Sequence, residues 1–191
     1  MWKASLIGAL ALGYIMTPHT PIEAVELAIE VKDPWVKARL PALVDDVVAV
    51  AATRPLFDGA RGVDATALLL VAIFSSESSF RQDVEDCSVL GDHGRAFGLP
   101  QLHAEWFVDR YSVAEFCGSR TLQIKIALDH VWTERAHCGG GPGSWMGGYH
   151  MGTSCILDAV SAGYGHMFTR LLGQAGISLH HDRRTDAYRA E

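Results

Sequence analysis

The carboxyl group of Glu77 has the surroundings in this sequence that most favour acid chemistry. It follows a strongly apolar run, residues 65–74, and on a helix Leu70, Ile73 and Phe74 lie on the same face as Glu77. A carboxyl group that continues an apolar face is desolvated, which raises its pKa and keeps it protonated near neutral pH. A protonated carboxyl suits glycosidic bond cleavage, because the leaving oxygen needs a proton. The alternative is a partly exposed glutamate at a helix end, and this pattern alone does not exclude it.

Two glycine-containing segments further along the chain offer groups that can contact a bound polymer. Residues 94–101 read Gly-Arg-Ala-Phe-Gly-Leu-Pro-Gln, where the glycines allow close approach to the backbone and Gln101 offers both a donor and an acceptor. The lysine and serine of a phosphate-binding loop are missing from this segment. Residues 147–152 read Gly-Gly-Tyr-His-Met-Gly, which predicts a tight connection around Tyr149.

Taken in this order, the three motifs resemble those of the lytic transglycosylases with a soluble lytic transglycosylase type domain, in the lysozyme-like superfamily. That family has an apolar helix ending in Glu-Ser-x-Phe, which residues 77–80 resemble, and a Gly-x-x-Gly-Leu-x-Gln motif, which residues 95–101 resemble with Gly94 just ahead. A helix similar to residues 122–135 follows, and then Ala-x-Tyr-Asn-x-Gly, which residues 148–152 resemble. The resemblance covers about residues 63–155, roughly half of the chain.

The resemblance implies a mainly α, lysozyme-like catalytic domain over residues 33–176, which cleaves the β-1,4 bond between N-acetylmuramic acid and N-acetylglucosamine in peptidoglycan. Glu77 would act first as the acid and then as the base, leaving 1,6-anhydromuramic ends, and Tyr149 would hydrogen-bond near it. The implied substrate-binding residues are Ser78, Gly98, Leu99, Gln101 and Tyr149.

Three positions depart from the pattern of that family. Pro100 replaces the usual Met or Trp, so the resemblance does not define the groove wall beside Gln101. His150 replaces Asn, and Gly148 replaces Ala.

A hydrolase of this kind would need a second carboxylate, and the acidic loop after Glu77 contains candidates. Asp86 and Asp92 are the two we retain, because goose-type lysozymes, relatives of the family, hydrolyse with acids from this region. The resemblance favours a transglycosylase and leaves a goose-type-like lysozyme as an alternative. A non-catalytic cell-wall or virion structural protein of the same fold is a third interpretation.

Four cysteines, Cys87, Cys117, Cys138 and Cys155, are widely spaced and form no Cys-x-x-Cys pair, which argues against a zinc ribbon. They suit two disulfides made in an oxidising compartment, with four buried thiols as the alternative, and three pairings are possible. Residues 149–155 resemble the Tyr-x-x-Gly-x-Cys pattern of a cysteine-containing branch of the family. That resemblance favours Cys138 with Cys155 and Cys87 with Cys117, in a protein of the periplasm, the exterior or a phage virion.

Composition limits the other classes of function. Of the 191 residues 49% are hydrophobic, enough for one buried core, and a net charge of −6 disfavours binding to nucleic acid. Nine histidines are present without a His-Glu-x-x-His motif, so we predict no metal and no other cofactor. The expected partner is the peptidoglycan glycan strand, held by local contacts in a groove.

Hydrophobic spacing predicts the elements that position these residues. Asp33 before Pro34 predicts a helix start, Asp64 a cap for the helix that ends near Glu77, and residues 121–136 an amphipathic helix. A last helix is expected over residues 156–173, followed by a loose polar tail, residues 177–191. No strong period-two alternation is present, so the fold class is mainly α.

Residues 1–21 are predicted to form an apolar leader outside the domain. Its apolar run, residues 4–16, is shorter than the roughly 20 residues that span a bilayer, and it resembles a secretory signal without a clear cleavage site. We expect an export-type or anchor segment, with a docking helix as the alternative. Such a segment would suit attachment to a membrane, a virion or a secretion apparatus.

Overall fold

The computed structural model describes residues 19–191 except Thr153, Leu157 and Arg184, so most of the predicted leader, residues 1–21, lies outside the described part. The described chain is mainly helical, as the sequence predicts. Its helices are α1 (Pro21–Ala28), α2 (Pro34–Thr53), α3 (Gly62–Glu77), α4 (Gln82–Glu85), α5 (Val113–Cys117), α6 (Arg120–Cys138), α7 (Pro142–Met151) and α8 (Ala159–Ala175).

Two short antiparallel strand pairs complete the described elements. β1 (Ala96–Phe97) pairs with β2 (Leu102–His103), and β3 (Leu179–Asp182) pairs with β4 (Ala187–Ala190). Short 3-10 turns, Asp92–Gly94 and Ala104–Trp106, lie on either side of the first pair.

Helix α3 is the centre of the core. Every residue from 65 to 74 is buried, and α1, α2, α6 and α8 all contact this helix. A helix that is apolar all round needs neighbours on every side, which explains its central position. Its start differs from the prediction: Arg61 precedes the helix, and Asp64 lies in the first turn, where its carboxylate accepts from Arg61 Nε at 2.7 Å. Asp64 therefore holds the first turn through an ion pair and is not the N-cap.

Helix α2 begins as the sequence predicts. The Asp33 carboxylate accepts from the Trp35 backbone N–H at 2.8 Å, and Pro34 occupies the first helical position, where its missing N–H costs nothing. Pro41 lies inside this helix without ending it, since α2 continues to Thr53.

The segment predicted as a glycine-rich connection is largely helix α7. Pro142 starts this helix, and its glycines are needed for close packing. A Cβ on Gly147 would lie 2.9 Å from the Ile156 carbonyl oxygen, and one on Gly148 would lie 2.3 Å from Glu134 Oε2. The prediction of a tight connection around Tyr149 was wrong because these glycines allow a helix to pack closely, without making a turn.

The C-terminal residues form a hairpin of β3 and β4, so the prediction of a loose tail was wrong. Asp58 N–H donates to the Tyr188 carbonyl at 2.8 Å, and Ala190 N–H donates to the Asp58 carbonyl at 2.7 Å. Ala190 is fully buried, and the Tyr188 ring packs edge-on against Trp145. These backbone bonds join residues far apart in sequence, which is why polar composition did not indicate them.

Both predicted disulfides are present, Cys87–Cys117 and Cys138–Cys155. The first lies beside α4 and α5, and the second joins the end of α6 to the connection between α7 and α8.

Among the helices of residues 19–191 that the structure describes, none combines the length and the apolar character needed to cross a bilayer.

Candidate active site

A groove of about 570 Å³ opens at the C-terminal end of α3. Glu77 lies in its wall, together with side chains from the β1–β2 region, α6 and α7. The other lining residues are Asp92, Ala96, Gln101, Leu102, His103, Glu105, Trp106, His130, Tyr149, His150, Met151 and Gly152.

The Glu77 side chain is mostly buried, with 18% of its surface exposed. Burial raises the pKa of its carboxyl, while a hydrogen bond donated by the Tyr164 hydroxyl would act in the opposite direction, as would a positive charge on His150. Burial is the largest of these effects, so the carboxyl favours the protonated form more than an exposed glutamate does. The group is therefore suited to donate a proton into the groove.

His150 and Asp158 extend the Glu77–Tyr164 hydrogen bond into a longer chain of polar contacts. His150 Nδ1 lies 3.3 Å from the Tyr164 hydroxyl oxygen and 4.0 Å from Glu77 Oε1. On the other side of the ring, His150 Nε2 lies 3.2 Å from Asp158 Oδ2. Asp158 is the N-cap of α8, and Ser161 hydrogen bonds lower the pKa of its carboxyl, which holds it ionised.

Tyr149 lines the groove, but its hydroxyl donates to the Pro100 carbonyl oxygen at 2.9 Å. The hydrogen bond to Glu77 is made by Tyr164, from α8. Burial and the nearby charge of Glu77 raise the pKa of Tyr149, and the same causes raise that of Tyr164, so both hydroxyls keep their protons. Tyr149 thus ties α7 to the loop that bears Gln101.

The loop between β1 and β2 is held from behind by a buried glutamine. Gln123 Oε1 accepts from the Leu99 N–H at 2.8 Å, and Gly98 has φ +68° in a space where a Cβ would lie 2.5 Å from that oxygen. Leu99 is fully buried. Gln101 Nε2 donates to the Gly98 carbonyl at 2.9 Å, and its side chain lines the groove.

The five predicted substrate-binding residues therefore divide into two groups. Gln101 and Tyr149 line the groove, whereas Gly98 and Leu99 support its loop from inside. Ser78 is also buried, and its hydroxyl donates to the Phe74 carbonyl at 3.0 Å, so it closes the end of α3 and does not line the groove.

Of the two candidates for a second carboxylate, the structure brings Asp92 to the groove and leaves Asp86 outside it. Asp92 is paired with Arg95 and His103, each at 2.9 Å, and the hydrogen bond from Arg95 lowers the pKa of its carboxyl. Asp86 is absent from the groove lining, and its Oδ1 accepts from the Ser88 N–H at 3.0 Å.

An aromatic stack forms another part of the wall. The His130 ring lies between Trp106 and Tyr149, with centroid separations of 3.6 and 4.6 Å. Burial lowers the pKa of His130 to about 3, so the ring is neutral at ordinary pH. Glu134 Oε1 is 3.4 Å from His130 Nε2, but neither ring nitrogen makes a hydrogen bond within the described chain.

Sequence reasoning missed Tyr164, Asp158 and the role of His150. Tyr164 stands in the predicted last helix outside any of the three motifs, and His150 differs from the motif only in replacing Asn. Asp158 and Ser161 have the spacing of a capping pair, which indicates a helix start but not a contact with His150.

His137 lies close enough to Cys138 and Cys155 for their donor atoms to be within 4.8 Å of one another. The two cysteines are bonded to each other, so they provide no thiolate for a metal.

Comparison with protein-family models, curated proteins and solved structures finds no match to this chain.

Proposed function

We propose that this protein is a peptidoglycan-degrading enzyme of lysozyme-like fold that cleaves the bond between N-acetylmuramic acid and N-acetylglucosamine, with Glu77 as its acid. The observation that carries the proposal is the environment of Glu77, a mostly buried carboxyl with a raised pKa in the wall of an open groove. Such a group can protonate a glycosidic oxygen, which leaves poorly without a proton.

The favoured reaction is that of a lytic transglycosylase, which needs one carboxylate. Glu77 gives its proton to the leaving oxygen, the bond from that oxygen to C1 breaks, and the N-acetyl group of the muramic residue assists at C1. The 6-hydroxyl oxygen then attacks C1 and displaces the N-acetyl oxygen that assisted there, while the hydroxyl proton passes to the Glu77 carboxylate, so the acid is restored. No water and no cofactor is consumed in this sequence.

The groove has groups suited to the C–H faces and hydroxyls of a sugar polymer. Trp106 offers an aromatic ring for packing against sugar C–H groups, and the Gln101 amide can donate to and accept from hydroxyls. These groups support binding by local contacts, which a chain of net charge −6 needs if its ligand is itself anionic.

The same proposal places the enzyme outside the cytoplasm, in a periplasm, in the surroundings of the cell or on a phage virion. Two disulfides support it, because such bonds persist in oxidising compartments.

A lysozyme-like hydrolase is the second candidate, and Asp92 favours it. This carboxyl lines the same groove, and Arg95 lowers its pKa while burial raises that of Glu77. One ionised and one protonated carboxyl is the combination with which a glycosidase can activate water.

Replacement of Glu77 by Gln tests the acid role, because the amide keeps the shape of the side chain but transfers no proton. We expect the Glu77→Gln variant to clear purified cell-wall sacculi at least about 100-fold more slowly than the wild type. The matched control is Glu26→Gln, the same change on the exposed face of α1, which should clear them at the wild-type rate. Clearance by Glu77→Gln at the wild-type rate would show that Glu77 is not the acid.

Mass spectrometry of the released fragments separates the two reactions. Anhydro-muropeptides identify the transglycosylase, whereas reducing muramic ends identify the hydrolase. Replacing Asp92 by Asn should abolish activity only if the enzyme is a hydrolase.

A further inference from the structure

The Tyr164 hydroxyl has one hydrogen and two partners that can accept it. One partner is Glu77 Oε1, and the other is His150 Nδ1 at 3.3 Å. If the hydroxyl donates to Glu77, that carboxyl is favoured as an anion. If it donates to His150, its oxygen faces Glu77 as an acceptor, and the contact is satisfied only when Glu77 carries its own proton.

Asp158 decides which nitrogen of a neutral His150 ring carries the hydrogen. Its Oδ1 is occupied by the backbone N–H of Ser161 at 2.8 Å and by the Ser161 hydroxyl at 2.7 Å. Its Oδ2 lies 3.2 Å from His150 Nε2, and a carboxylate at that distance favours the hydrogen on Nε2. Nδ1 then presents a lone pair to the Tyr164 hydroxyl.

We propose that His150, oriented by Asp158, is a positioning residue that turns the Tyr164 hydroxyl away from Glu77 and thereby keeps the Glu77 carboxyl protonated. With a neutral His150, the chain of bonds runs from the Glu77 O–H to the Tyr164 oxygen and from the Tyr164 O–H to Nδ1. Every polar group in it is satisfied and no charge is buried at Glu77, which is the lower-cost arrangement in a desolvated site. The inference rests on the proposed function, because it explains how the proposed acid, Glu77, stays protonated.

The imidazolium form of His150 would act in the opposite direction. Its Nδ1–H would donate to the Tyr164 oxygen, the hydroxyl would donate to Glu77, and the positive charge 4.0 Å away would also favour the Glu77 anion. Removal of His150 should lower the pKa of Glu77 if the Nδ1 acceptor dominates, and should raise it if the imidazolium charge dominates. Experiment can decide between the two.

Other titratable groups also face this chain or share its groove. They are Tyr149, His130, Asp158, Asp92, His103 and Glu105. They are the same in variants that change only His150, so a comparison of such variants cancels their effect.

Replacement of His150 by Phe tests the proposal, because phenylalanine keeps a ring but has no acceptor. The Tyr164 hydroxyl then returns to Glu77, so the alkaline limb of the pH profile of kcat/KM on soluble glycan fragments should move down by at least about 0.5 pH unit. Replacement by Asn places a carbonyl oxygen near the position of Nδ1, and we expect His150→Asn to keep the wild-type limb. Asp158→Asn should move the limb downward by less than His150→Phe does, because it only releases the choice of tautomer.

An unchanged limb in His150→Phe would overturn the proposal, and so would an upward shift, which would identify the imidazolium charge as the dominant effect. Equal shifts in His150→Phe and His150→Asn would overturn it as well, since the acceptor would then not matter.

A second measurement is independent of activity. In protein labelled with 13C at glutamate carboxyls, the Glu77 signal is the one lost in Glu77→Gln, and its titration midpoint should fall by a similar amount in His150→Phe. If the midpoint falls but the wild-type protein does not cleave peptidoglycan, the proposed function is wrong and the proposed role of His150 is retained. If the enzyme is active and the Glu77 midpoint does not move in His150→Phe, the proposed role of His150 is refuted and the proposed function is retained.

Discussion

Removal of the Cys138–Cys155 disulfide should destabilise the protein by an amount that its position in the chain sets. The bond closes a loop of 17 residues, and Cys87–Cys117 closes one of 30. The entropy of loop closure in the unfolded chain gives a loss of about 3 kcal/mol for the first bond and about 3.6 kcal/mol for the second. Loss of both would remove about 6–7 kcal/mol, comparable to the whole free energy of unfolding of many domains.

Urea unfolding measures this directly. The change is the paired replacement Cys138→Ser and Cys155→Ser, with Cys87→Ser and Cys117→Ser as the matched control. With an m value of about 3 kcal/mol/M, each pair should lower the urea midpoint by about 1 M, with the control pair lowered slightly more. Reductant should lower the wild-type midpoint further than either pair alone. A wild-type midpoint that is the same with and without reductant would refute the assignment of both bonds as stabilising cross-links.

The two bonds should differ in their effect on the site. Cys155 is three residues before Asp158, and its partner Cys138 ends α6, so this bond holds the connection that presents Asp158 to His150. We therefore expect its loss to shift the alkaline limb of the pH profile in the same direction as Asp158→Asn. The Cys87–Cys117 bond joins the segment after α4 to the end of α5, and neither carries His150 or Asp158. Its loss should lower stability without moving that limb.

Two further predictions concern stability. Since burial holds the His130 pKa at about 3, the unfolded chain gains a proton that the folded chain does not as pH falls through about 6.5. Going from pH 7 to pH 5 should lower the free energy of unfolding in urea titrations by about 2 kcal/mol through this group. The His130→Phe variant should lose that part of the pH dependence. An identical pH dependence in the variant would contradict the lowered pKa of His130. Gly148→Ala should destabilise by about 1–3 kcal/mol, because its Cβ would meet Glu134 Oε2, whereas Gly163→Ala in α8, with open space around it, should be neutral or stabilising in the same thermal melts.

The elements that the sequence predicts well are those set by local pattern. The all-apolar run of α3 indicated a buried helix, and Asp33 with Pro34 marked the start of α2. Helix α7 and the C-terminal hairpin depend on contacts between distant parts of the chain. The glycine-rich composition of α7 does not indicate a helix, and the polar composition of the C-terminal residues does not indicate a hairpin.

The candidate site divides in the same way. Glu77, Gln101 and Tyr149 stand in recognisable motifs, and all three line the groove. Tyr164 reaches Glu77 only because α8 packs against both α3 and α7. No spacing in the sequence relates two residues that meet through such packing, so the hydrogen-bond partner of Glu77 had to come from the structure.

Two of the three positions that depart from the motif pattern described above have a physical cause in their contacts. Gly148 is glycine because Glu134 Oε2 and Cys138 Sγ occupy the space of a Cβ, at 2.3 and 2.9 Å. The ring of His150 places Nε2 at 3.2 Å from Asp158 Oδ2, a reach that the shorter asparagine side chain does not have. Nothing in the structure explains the proline at position 100, because the carbonyl that accepts from the Tyr149 hydroxyl belongs to the backbone and any residue would offer it. These contacts secure α7 or the loop before Gln101, so the departures concern what supports the proposed acid, Glu77, at the end of α3.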